Sequence, residues 1–211
     1  MLARFLAAIA AMVAIVAASN ILVQYPFAVQ LGPINLGDIL TWGAWTYPVA
    51  FLVTDLTNRT FGPARARVAV FAGFVVAVIL SIYLATPRIA IASGAAFLAA
   101  QFLDISIFHR LRNGAWWQAP MFSSLVSSAL DTIIFFSLAM APAFAGLDLM
   151  FGMEDGSLAF PAPFLGMGGE VPLWVSLAAG DFLVKLLLTL LMLAPYKTLR
   201  GWLAGRSAVA V

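Results

Sequence analysis

Apolar residues run along this chain in long blocks, with polar residues collected at the breaks between them. Six such blocks stand out: Phe5 to Val23, Ile39 to Thr54, Val68 to Ala85, Ile89 to Phe108, Ala119 to Ala145 and Leu173 to Leu193. About 20 apolar residues suffice for a helix to cross a ~30 Å hydrocarbon core. Each block therefore predicts a transmembrane helix. The expected fold is an all-α membrane protein, a bundle of six transmembrane helices within one integral membrane domain over residues 1–211, with a long connection over 146–172. The first block also has a second reading. Arg4, the apolar run and the small residues Val16, Ala17 and Ala18 resemble a signal peptide and its cleavage site, but the run resumes at Ile21 to Val23 and reaches spanning length.

Composition agrees with the pattern. Of 211 residues, 64% are apolar and 9% charged, against about 25% charged in a soluble domain. The Lys and Arg residues are sorted by block. Arg4, Arg59, Arg65, Arg67, Arg110, Arg112, Lys197, Arg200 and Arg206 fall on one side of the alternating connections, while Arg88 alone falls on the other and Lys185 lies inside the last block. The positive-inside rule then places both termini in the cytoplasm, as expected for a multi-pass protein of a cell inner membrane. The opposite connections carry Asp38, Asp148, Glu154, Asp155 and Glu170.

Enzyme chemistry finds little support. With no cysteine there is no disulfide or thiolate metal site; neither metal nor cofactor is expected, nor a nucleic-acid partner. The one histidine, His109, falls at a membrane edge beside Arg110 and Arg112. No Gly-Lys pair exists to form a phosphate-binding P-loop, so ATP hydrolysis would require a partner chain.

The informative residues are the ionisable ones inside the blocks, because each costs about 2.5 to 3.5 kcal/mol at a helix centre. They are Asp104, Asp131, Asp181 and Lys185. Asp181 and Lys185 stand four apart, a spacing that brings side chains together on a helix, and they read either as a structural ion pair or as part of a site. Ser124, Ser128 and Asp131 share a face with Ser123 and Ser127 beside it; the serines suit close helix packing as well as ligand contact. Gln101 and Asp104 lie on one face between Phe97 and Phe108, and Asp104 is either a pocket residue or the partner of an arginine in the inner loops. In the second block Trp45, Tyr47 and Pro48 lie deep, where the rings can pack the core or stack on a planar ligand. Asp55 and Arg59 form a candidate clasp at the cytoplasmic end, a helix-end pair or an inner gate. The connection from Gly146 to Pro172 is rich in Gly and Pro, and its apolar middle, Leu158 to Met167, suits a lid or a surface segment.

Several of these segments together resemble a known family. Tyr47-Pro48, the run Phe51 to Arg59, Phe61-Gly62, Ala64-Arg65, the run Ala99 to Ile105, Phe108 to Arg112, Trp116-Trp117, Ser124 to Thr132, and Asp181 with Lys185 are similar, in this order, to blocks of the queuosine precursor transporter family, also called VUT. The resemblance runs from about Tyr47 to Tyr196 and leaves out the first block and the long loop. It implies a six-span inner-membrane protein importing 7-cyano-7-deazaguanine and 7-aminomethyl-7-deazaguanine, precursors of a modified tRNA base. A guanine-like ring presents adjacent N–H donors that one carboxylate accepts as a pair, and flat faces that stack on aromatic rings. Asp131 or Asp104 is then the expected receptor and Gln101 a reader of the ring edge. Trp45 or Tyr47 would stack, with Ser128, Asp181 and Lys185 completing the site. Other classes stay open: a membrane subunit served by a separate ATPase, or an intramembrane enzyme using the aspartates. Self-association is open too.

Overall fold

The computed structural model describes the backbone of residues 1–32, 34–38 and 40–208, and the same side chains apart from those of Ile34, Asp38 and residues 204–208. Ile39, the expected start of the second span, and the charges of Asp38 and Arg206 lie outside these described residues. Eight helices are described: α1 (Leu2–Leu22), α2 (Trp42–Thr46), α3 (Val49–Phe61), α4 (Pro63–Leu84), α5 (Pro87–Leu111), α6 (Gln118–Met140), α7 (Gly146–Met150) and α8 (Leu173–Ala208). Two short antiparallel hairpins join them, β1 (Gln30–Leu31) with β2 (Ile34–Asn35) and β3 (Pro161–Pro163) with β4 (Glu170–Pro172). The hairpins are a departure from the all-α expectation. Both lie in connections between long helices, where water is available to backbone groups that helices do not pair.

Five helices are long and apolar enough to cross a membrane: α1, α4, α5, α6 and α8. The second block does not form one continuous helix. It breaks at Tyr47 and Pro48 into α2 and α3, because proline has no N–H to continue the ladder and its ring crowds the preceding turn. Helix α3 makes contact with all five long helices. That central position explains its polarity: Thr54, Asp55, Thr57 and Asn58 are all buried against protein rather than lipid.

Local residue chemistry sets the other boundaries. Gly62 takes a φ of 86°, which glycine adopts without strain, and Pro63 opens α4 immediately after it. The Thr86 hydroxyl accepts from the N–H of Ile89 and caps α5, again with proline in the first turn. Helix α6 stops at Met140, short of the expected Ala145, because Pro142 ends it. Helix α8 runs well past the expected Leu193, through Pro195, since the polar residues after Tyr196 end the apolar pattern without ending the helix. Small residues bring helices together: Gly73 of α4 receives Met12 and Val16 of α1, both fully or nearly fully buried. Gly43 of α2 is closer still, for a Cβ there would lie 2.8 Å from the Cα of Val23.

The two ends of the bundle differ in charge. At one end Phe5 of α1 meets Phe61 of α3, with Arg65 stacked over both rings. At that end Arg59 donates to the carbonyl of Arg112, Arg112 donates back to the carbonyl of Arg59, and Lys197 lies over Trp116. The opposite end is organised by Arg88, which is 1% exposed. Its guanidinium donates to the carbonyls of Leu138 (2.8 Å) and Ala141 (2.6 Å) at the C-terminus of α6 and to Asp148 Oδ2 (2.7 Å). A cation there satisfies carbonyls that no helical N–H reaches and complements the helix dipole. Hydrogen bonding from Arg88, helped by the Gly156 N–H, holds the Asp148 carboxyl below the usual carboxylate range. The loop is tied down again where Leu158 N–H reaches Met140 and Ser176 Oγ accepts from Leu165 N–H.

Candidate functional site

Helices α6 and α8 pack so that Asp131, Thr132, Asp181 and Lys185 meet. Lys185 Nζ lies 2.7 Å from Asp131 Oδ2, 2.5 Å from Asp181 Oδ2 and 3.1 Å from Thr132 Oγ1. The Thr132 hydroxyl donates to the same oxygen of Asp181 at 2.8 Å, closing a four-residue network. Asp131 and Lys185 are each 4% exposed, so water screens neither charge. An ammonium has three N–H donors, and all three find oxygen here. With both carboxylates ionised the cluster keeps one negative charge in excess, and only one oxygen of each carboxylate is engaged by Lys185.

Around this network stand the aromatic residues of the broken second block. Tyr47, at the break, lies within electrostatic reach of Asp131 and Asp181, and its ring meets Phe97 of α5 edge-on with centres 5.9 Å apart. Trp45 packs beside Phe27, near Val184 and Leu188 of α8. Among the described residues its indole N–H is buried without an acceptor, and the Ser128 hydroxyl is without a partner. Leaving such a group unpaired costs about 1 to 3 kcal/mol, so both are groups that a polar ligand would satisfy.

Gln101 and Asp104 belong to a different group. Gln101 Oε1 accepts from Thr54 Oγ1 at 2.6 Å, Asn58 donates to the carbonyl of Ile105 at 2.9 Å, and Asp104 faces Asp55 of α3. Ser123 Oγ approaches Asp55 Oδ1 at 3.4 Å. Thus α3 and α5 run side by side, joined by polar contacts, at a level nearer the end that holds Arg59 and Arg112. The expected clasp between Asp55 and Arg59 does not form: Asp55 turns inward to α5 and α6, and Arg59 donates to the carbonyl of Arg112. Nor does Asp104 pair with an arginine among the described residues.

A small pocket with room for about one water molecule is bordered by α3, α6 and α8, with Asp55, Ser124, Thr189 and Tyr196 in its wall. Thr189 is one turn of α8 beyond Lys185, so the pocket lies on the arginine side of the ion network. The network's fourth member, Thr132, was not among the expected site residues. Its signals were its position, next to Asp131 and one turn after Ser128, and its place at the end of the family-like run from Ser124. Thr54 and Asn58 were missed because their role comes from α3 lying at the centre of the bundle, which no local pattern reveals.

The polar network inside apolar helices and the proline-broken segment beside it lie within a stretch that matches a known family. The model of the family described as "Putative vitamin uptake transporter" matches residues 41–86 and 80–199, a stretch that includes every residue of the network and of the broken segment. The chain belongs to this family. The chain is 39% identical over 152 residues to the "Probable queuosine precursor transporter" of Haemophilus influenzae, covering 59% of this chain and 65% of that protein. It is 36% identical over 146 residues to the "Queuosine precursor transporter" of Escherichia coli strain K12, covering 59% and 63%. The matched part thus spans just under two thirds of the length of these relatives. No solved structure matches the chain. Family membership and the five apolar helices make this vitamin uptake transporter family member a multi-pass membrane protein.

Proposed function

We propose that the chain is an inner-membrane transporter that imports queuosine precursors, 7-cyano-7-deazaguanine or 7-aminomethyl-7-deazaguanine, for tRNA modification, working as a secondary transporter rather than an enzyme. The observation that carries the reading is the network of buried Asp131 and Lys185 with part-buried Asp181. Buried ionisable groups within membrane helices mark substrate or ion paths far more often than they mark simple packing. The names of the relatives supply the substrate class.

The chemistry follows from the network's excess acceptor capacity. A deazaguanine offers a ring N–H and an exocyclic amine side by side, which suit the two oxygens of one carboxylate. Asp131 would receive that edge while Lys185 leans on Asp181 through their shared turn of α8. The excess negative charge also favours an aminomethyl cation. Tyr47 or Trp45 would cover the ring face, and Trp45 N–H and Ser128 would find partners on its edge. In this reading α2 and α3 together form a sixth crossing, broken beside the site as in transporters whose discontinuous helices bind substrate at mid-membrane. The arginines gathered at one end of the bundle support cytoplasmic termini.

Uptake of labelled precursor by cells lacking their own importer tests the proposal. Asp131→Asn and Asp181→Asn should each lower uptake by at least about tenfold, the equivalent of one lost charge-assisted hydrogen bond. Normal uptake in both variants, at normal abundance in the membrane, would refute it.

A further inference from the structure

The carboxylates of Asp55 and Asp104 have no place in the substrate reading. Asp55 is 2% exposed and Asp104 fully buried, and they face each other across the α3 and α5 interface. Two carboxylates in contact offer only acceptors when both are ionised. In keeping with that, neither oxygen of Asp104 receives a hydrogen bond of good geometry from any described residue.

Their surroundings provide no compensating cation. On α3 the nearest is Arg59, which donates from Nη1 to the carbonyl of Arg112 and makes no salt bridge to either carboxylate. On α5 the neighbours are Gln101, held by Thr54, and Arg112, which bonds Arg59. On α6 they are Ser123 and, two turns farther along, Asp131, already paired with Lys185. From α8, Tyr196 lies near Asp55, and Arg59, Arg200 and Arg112 act on Tyr196. On α4, Arg65 stacks over Phe5 and Phe61, and α1 brings only Arg4 at its start. Among the described residues the salt bridges are those of Arg88 and Lys185.

We propose that Asp55 and Asp104 form a proton-binding pair, separate from the substrate network, that takes up and releases one proton in each transport cycle. One proton shared between the two carboxyls turns an acceptor into a donor and supplies the hydrogen bond that Asp104 lacks. The only bond formed or broken is that O–H bond, and the pair passes from one negative charge to two when the proton leaves. Asp55 also lines the small pocket bordered by α3, α6 and α8, where a water molecule can meet the pair. Helix α3 links the pair to the substrate: it begins at the Tyr47 and Pro48 break beside the Asp131 network and carries Asp55 two turns farther on. A shift of α3 on substrate binding would move Asp55 relative to Asp104 and alter the hold on the proton.

This inference rests on the transport reading, so two measurements are needed to separate them. Infrared spectra of the purified full chain in lipid, with no substrate, should contain a protonated-carboxyl component at neutral pH that disappears in both Asp55→Asn and Asp104→Asn. Its persistence in both variants, or its absence from the wild type, overturns the proton pair whatever the chain transports. In vesicles loaded with 7-aminomethyl-7-deazaguanine, exchange of labelled for unlabelled compound by the wild type needs only the substrate site; its absence defeats the transport reading. Where exchange is present, an inside-alkaline gradient of one pH unit should raise wild-type accumulation about tenfold for one coupled proton. Asp104→Asn should lose that response to the gradient. A wild type indifferent to the gradient, or an Asp104→Asn variant that still responds, overturns the proposal.

Discussion

Replacing Lys185 with methionine isolates the electrostatics of the α6 and α8 network, because methionine keeps the length of the side chain and removes only the ammonium. The wild-type ammonium lies within 2.5 to 3.1 Å of three oxygens, on a side chain 4% exposed. Without it Asp131 and Asp181 face each other with no cation, and Thr132 can satisfy only one of them. Breaking a buried ion pair by removing one partner costs about 3 to 5 kcal/mol, because the remaining charge stays buried and unmatched. Two carboxylates depend on this lysine, so the upper part of that range is expected. Restoring balance with a second change, Asp131→Asn, should recover about 2 kcal/mol, the non-additivity expected of residues in one network. Reversible unfolding of the purified protein in mixed micelles, followed by tryptophan fluorescence, provides the measurement. A loss of less than about 1 kcal/mol in Lys185→Met, or strictly additive effects in the double variant, would refute the view that this lysine neutralises a dry cluster.

Two further outcomes are expected. Gly43→Ala places a Cβ 2.8 Å from the Cα of Val23. Backbone must then move, and the variant should lose about 1 to 3 kcal/mol in the same unfolding assay, whereas wild-type stability would show that the contact between α1 and α2 is loose. Because Asp148 is held below the usual carboxylate range by Arg88, the stability it confers is fully present above the ordinary aspartate pKa of about 4 and is lost only as pH falls through the lowered value. Hydrogen exchange at the Gly156 N–H, corrected for its intrinsic pH dependence, should therefore show constant protection from pH 8 to about 5. Loss of protection within that window would contradict the clasp.

Most of the helical architecture could be read from the sequence because lipid imposes a length and an apolarity that local composition records. Blocks one, three, four, five and six correspond to α1, α4, α5, α6 and α8. The second block was harder, since its residues meet protein on all sides: Thr54, Asp55, Thr57 and Asn58 are buried, and only the packing of α3 among five helices makes such polarity tolerable. For the site, the spacing of Asp181 and Lys185 carried enough to foresee their pairing. The arrival of Asp131 at the same ammonium depends on how α6 meets α8, which no helical period encodes. Arg88 read simply as a lone cation on the acidic side; its hold on the end of α6 and on the long loop came from residues 50 to 69 positions away. The separation of Asp104 and Gln101 from the network likewise reflects the register of α3 against α5.

Uptake of labelled 7-cyano- and 7-aminomethyl-7-deazaguanine into vesicles containing only this purified chain tests the central claim most directly. The account expects saturable uptake without ATP or any ATPase, competed by the unlabelled compound and strongly reduced by Asp131→Asn. Uptake of neither compound, or uptake that appears only when a separate ATPase is added, would contradict it.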